Sequence, residues 1–159
     1  MSATTALAID LPDEAATAHL ARRLARRAER GDVIGLKGAL GSGKTSFARA
    51  FIRSLGDGAE DVPSPTFALV EVYAFAGRPP VWHFDLYRLS APEQAYELGI
   101  EDALAEGISL IEWPERLGAL MPDEHLVVAL AAGATPTARR ARLSGSAGWA
   151  NRLDGLRHG

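Results

Sequence analysis

The run Gly38-Ala-Leu-Gly-Ser-Gly-Lys-Thr45 matches the pattern G-x-x-x-x-G-K-[ST] at every fixed position. It constrains the fold more than any other stretch, because such a loop works only between a strand and the first turn of a helix. Both flanks fit. Val33 to Lys37 (Val-Ile-Gly-Leu-Lys) reads as an apolar strand, and in Ser46 to Leu55 the residues Phe47, Ala50, Phe51 and Leu55 fall at helical spacing. Glycines at 38, 41 and 43 let the backbone approach phosphate oxygens, so that N–H groups from Gly38 through Leu40, Gly41, Ser42 and Gly43 to Ser46 form an anion-binding nest. The positive end of the following helix adds to the same field. Lys44 suits the β- and γ-phosphates, and the Thr45 hydroxyl suits Mg²⁺, a hard cation that prefers oxygen. These residue types point to a bound nucleoside triphosphate.

Composition narrows the remainder. The chain has 159 residues, 47% of them hydrophobic, enough for one compact domain over 1–159. There is no cysteine, which excludes disulfides, thiolate metal sites and thiol nucleophiles. A basic N-terminal segment followed by an apolar core is absent, as is any run of 18 apolar residues, so a cytoplasmic protein without a membrane span is expected. The net charge of −3 argues against a domain built mainly to grip nucleic acid. Arginines at 22, 23, 26, 27 and 30 crowd one helix and those at 139, 140 and 142 another segment, and solvated faces are the commoner explanation. Only Lys37 and Lys44 are lysines, against fifteen arginines.

Along the chain, Ala6 to Leu11 reads as a strand, and Asp13 caps a helix to about Glu29 in which Ala16, Leu20, Leu24 and Ala28 repeat every four residues. Gly56 to Pro65 is a surface loop. Phe67 to Phe75 and Val81 to Tyr87 form an antiparallel strand pair around the turn Gly77-Arg-Pro-Pro80. Pro92 opens a helix through about Ala105, Ile108 to Glu112 is a buried strand, and Pro114 starts another helical turn. Leu126 to Leu130 and Arg140 to Ser144 complete the strands, and a short helix ends in a loosely packed tail over 149–159. A mixed sheet flanked by helices accounts for this order.

Phosphoryl transfer needs a further carboxylate near the metal and a group that orients the nucleophile. Glu112, at the end of the apolar run from Ile108, would emerge beside the phosphate loop; the alternative is a polar residue capping a strand. Asp85 lies in His83-Phe-Asp-Leu-Tyr-Arg88, where it could hold a water or form a structural pair with Arg88. His83 shares the face of Asp85, yet a lone strand histidine is more often packed than catalytic. Ser64-Pro65-Thr66 sits where a hydroxyl could sense the γ-phosphate, or is a plain turn. Trp113 fits either the core or an adenine ring. The sole asparagine, Asn151, excludes an Asn-Lys-x-Asp guanine reader, and Leu143-Ser-Gly-Ser146 follows Glu112 where an ABC signature would precede it. A small-molecule kinase, with Arg139, Arg140 and Arg142 on a lid, remains the rival from another class, and a nucleotide-sensing module with little turnover is a third reading.

The phosphate loop, Ser64-Pro-Thr-Phe67, His83-Phe-Asp-Leu-Tyr-Arg-Leu89 and Glu112-Trp-Pro114 together resemble the bacterial TsaE family, over roughly residues 8 to 145. The resemblance implies an α/β, P-loop NTPase-like three-layer fold with a mixed parallel and antiparallel sheet. It implies ATP hydrolysis with Mg²⁺ held by Thr45 and Glu112, and with Lys44, Asp85 and Glu112 as the catalytic groups. It also implies Glu14 or Thr17 near the adenine, Thr66 near the phosphates, and an approach by Arg139. The partners implied are TsaB and TsaD, in a complex that forms threonylcarbamoyladenosine at position 37 of tRNAs reading codons that begin with A. The transfer itself would belong to TsaD, and contact with tRNA would be indirect. The family loop commonly has Asp where this chain has Ala39 and Ala where it has Ser42.

Overall fold

The computed structural model describes residues 5–56 and 69–157. Seven strands form one sheet: β1 (Thr5–Leu11), β2 (Val33–Lys37), β3 (Val70–Tyr73), β4 (Val81–Asp85), β5 (Ile108–Glu112), β6 (Leu126–Ala132) and β7 (Arg139–Gly145), in the order β1-β7-β6-β2-β5-β4-β3. The inner strands β6, β2, β5 and β4 are parallel, whereas β1 and β7 at one side and β3 at the other join antiparallel. Strands β2 and β5 are apolar almost throughout, as expected of parallel strands covered on both faces.

Helices α1 (Glu14–Arg27), α2 (Lys44–Leu55) and α4 (Ala150–Arg157) cover one face. Leu20, Leu24, Phe47, Phe51 and Leu153 pack there on Leu36, Leu110 and Val128. Helix α3 (Ile100–Glu106) and the 3₁₀ segments Pro92–Leu98 and Pro114–Leu120 cover the other around Phe84, Leu86, Ile111 and Leu117. Asp13 caps α1 as its side chain suggests, accepting from the Ala16 N–H at 2.8 Å.

Three expectations are corrected. The helix expected over 92–105 breaks at Gly99, whose φ of 85° suits glycine, into a 3₁₀ segment and α3. Strand β4 stops at Asp85, two residues short: the Leu86 N–H makes the last ladder bond to the Glu112 carbonyl at 3.1 Å, and the Tyr87 N–H then turns back to the Asp85 carboxylate at 3.1 Å. The described part of the expected loose tail, residues 149–157, is held: Trp149, Leu153 and Leu156 are buried, and Arg23 and Arg27 donate to the Gly155 and Leu156 carbonyls. Arg152 lies 3.5 Å from the Trp149 ring centroid and pairs with Asp32 at 2.6 Å. Two of the clustered arginines therefore close the end of α4, where cations complement exposed carbonyls.

Candidate functional site

The carboxyl ends of the parallel strands meet at one edge. Glu112 pairs in register with Leu36 on one side and Asp85 on the other, so both carboxylates sit beside the loop that leaves β2. The register Leu11↔Arg139 brings the start of α1 to the same edge. In parallel α/β sheets this is where ligands bind.

Local chemistry shapes the loop. Gly38 has φ 147°, and a Cβ there would press on the Ser42 hydroxyl and lie 2.5 Å from the Leu130 carbonyl oxygen, so glycine alone fits. The loop runs through Gly43 into the first turn of α2. Lys44 Nζ donates to the Gly38 and Ala39 carbonyls at 2.6 and 2.9 Å and lies 4.3 Å from the Trp113 ring centroid. Burial pushes the Lys44 pKa below its usual value, offset in part by the carboxylates of Glu112, Asp85 and Glu115.

Thr45 Oγ1 donates to Glu112 Oε1 at 2.9 Å, and Glu112 Oε2 is 2.7 Å from His83 Nε2. His83 and Glu112 are both buried. The Asp85 carboxylate, also buried, accepts the Tyr87 N–H at 3.1 Å. Arg139 braces the loop from β7: its Nε donates to the Ser42 carbonyl at 2.7 Å and its Nη2 to that of Gly41 at 3.3 Å.

Two clefts meet here. One, of about 400 Å³, is lined by Leu40, Lys44, Asp85, Glu112 and Trp113 among others. The second, of about 280 Å³, lies between α1 and α2 and includes Glu14, Thr17, Arg49, Arg53 and Thr137. Gly43, Ser46 and Arg139 line both.

The structure thus gathers the residues expected from sequence: Gly38, Leu40, Gly41, Ser42, Gly43, Lys44, Thr45, Ser46, Asp85 and Glu112 around the loop, and Glu14 with Arg139 beside it. Thr66 and the rest of Ser64-Pro-Thr-Phe67 lie outside the described residues. Trp113 belongs to the loop-side cleft, 4.9 Å from the Tyr87 ring, and neither to the α1–α2 cleft nor fully to the core. Sequence reasoning passed over Arg49 and Arg53. Their signal was available, since Ser46, Arg49, Ala50 and Arg53 follow one helical stripe. It also weighed His83 toward packing, whereas its ring contacts Glu112.

The fold is of the α/β, P-loop NTPase-like class, with a mixed seven-stranded sheet. The family model described as "Threonylcarbamoyl adenosine biosynthesis protein TsaE" matches residues 11–141, and the chain belongs to that TsaE family, which serves tRNA threonylcarbamoyladenosine biosynthesis. Proteins named "tRNA threonylcarbamoyladenosine biosynthesis protein TsaE" are similar to it. That of Rickettsia conorii is 40% identical over 122 residues, covering 77% of this chain and 69% of the relative. The Synechocystis protein is 43% identical over 114 residues (67% and 69%), and the Haemophilus influenzae protein 36% over 124 (74% and 77%). The crystal structure of Bacillus subtilis YdiB shares the fold, with a TM-score of 0.78 at 24% identity over 99% of both chains.

Proposed function

We propose that this chain binds ATP with Mg²⁺ and hydrolyses it as the accessory partner of the TsaB–TsaD pair, supporting threonylcarbamoyladenosine formation at position 37 of tRNAs that read codons beginning with A. The observation that carries this reading is the 2.9 Å contact between Thr45 Oγ1 and Glu112 Oε1, directly below the phosphate loop. A hydroxyl and a carboxylate are the donors that Mg²⁺ prefers. Among the described residues no group of three or more His, Asp or Glu side chains could hold a metal alone, so the remaining ligands would be phosphate oxygens and water. When bound, Mg²⁺ would supply charge neutralisation on the β- and γ-phosphates.

The chain's own groups do the rest. Loop N–H groups and the α2 terminus hold the phosphates, and the Lys44 ammonium exchanges its two carbonyl partners for phosphate oxygens. Asp85, on the neighbouring strand end, accepts a hydrogen bond from the attacking water and so orients it in line. The cleft lined by Glu14, Thr17, Arg49 and Arg53 suits the nucleoside end of ATP. The net charge of −3 supports only indirect contact with tRNA, and no described helix is long and apolar enough to cross a membrane.

The test is the steady-state rate of ATP hydrolysis, first alone and then titrated with TsaB–TsaD from the same organism. A slow basal rate that rises with the pair, and falls about a hundredfold or more in Lys44→Ala, is expected. Indifference to the pair, with phosphate delivered to a small metabolite, would identify a kinase instead.

A further inference from the structure

His83 is wholly buried and has one described polar contact, Nε2 to Glu112 Oε2 at 2.7 Å. An ionised carboxylate only accepts, so Nε2 carries the hydrogen and donates. Nδ1 has no partner among the described residues. A buried imidazole satisfied at one nitrogen only is not the arrangement expected of a histidine kept for packing. Its single bond instead completes a chain that runs from His83 through Glu112 to the Thr45 hydroxyl. With one oxygen held by each neighbour, the Glu112 carboxylate cannot swing about its last torsion, a broad rotor when free.

We propose that His83 is a positioning residue: it holds Glu112 in the orientation in which that carboxylate meets the metal of the nucleotide complex. The proposal rests on the ATP and Mg²⁺ reading of the site. Groups that orient a carboxylate near a metal commonly change metal affinity by 10–100-fold when removed. His83 touches neither nucleotide nor metal, and its effect passes through Glu112.

The experiment titrates Mn²⁺ into the protein saturated with β,γ-imido-ATP, followed by electron paramagnetic resonance, with nucleotide affinity measured separately without metal. His83→Leu is expected to weaken Mn²⁺ binding about tenfold while metal-free nucleotide affinity stays at the wild-type value. His83→Gln, whose amide nitrogen reaches the position of Nε2, restores binding, whereas His83→Asn, which reaches only as far as Nδ1, does not. Wild-type Mn²⁺ affinity in folded His83→Leu overturns the proposal. Should the Leu variant not fold, the Gln and Asn variants decide, and equal affinities in those two overturn it. Glu112→Ala separates the two levels of failure. If it too binds Mn²⁺ normally, the metal-site reading falls; if it alone loses Mn²⁺, only the role of His83 falls.

Discussion

Lys44 is held in a costly place. The residue is buried, and its ammonium lies between loop carbonyls and the Trp113 ring, with burial lowering its pKa. The folded state therefore releases this proton at a lower pH than the unfolded chain does. Between the two values the unfolded chain binds the extra proton, so the contribution of Lys44 to stability rises with pH across that window. Denaturant midpoints of wild type and Lys44→Met, compared from neutral pH up toward the ordinary lysine value, are expected to diverge in favour of the wild type. A constant difference would mean that the lysine is not desolvated. Gly38 is constrained by backbone alone: Ala at this position meets the Leu130 carbonyl and strains a φ of 147°. Gly38→Ala should cost about 1–3 kcal/mol of stability by urea unfolding and abolish nucleotide binding measured by calorimetry.

At the scale of elements, the most informative is α4, which was expected as a loose tail. Leu153 is fully buried against the face that also holds α1. Leu153→Ala should destabilise by about 2–5 kcal/mol in equilibrium unfolding, and a loss below 0.5 kcal/mol would show that the helix is not docked. Its eight residues, with Gly155 among them, carry almost no intrinsic helix signal. What holds it are arginines more than a hundred positions away in sequence, and such partners leave no local pattern. Strands β2 and β5, by contrast, were legible to the residue because a parallel strand covered on both faces must be apolar. The site divides in the same way. The phosphate loop follows from spacing alone, and Glu112 from its place at the end of an apolar run. The contact of His83 depends on strand register, which the sequence of one strand does not reveal. Gly99 could have signalled the break in the helix expected over 92–105, but one glycine inside a helical pattern is often tolerated.

The whole molecule is organised around strands that pair far from their sequence neighbours. Strand β2 lies between β5 and β6, and β1 touches the sheet only through β7. A chain ending at Ala132 would lack β7 and α4, leaving β1 unpaired and much of the α1 face bare. That truncation is expected to lose the cooperative unfolding transition seen by circular dichroism, and a transition as sharp as that of the full chain would refute this view of the sheet. The same strand order governs how the protein emerges from the ribosome. β1 and the Gly38–Thr45 loop are made first, yet the partners that hold one in the sheet and set the carboxylates beside the other arrive only with the second half. A nascent chain that stops short of Glu112 thus carries the whole Gly38–Thr45 loop without the carboxylate that the Thr45 hydroxyl meets in the folded protein, so the loop is made before the site around it can close.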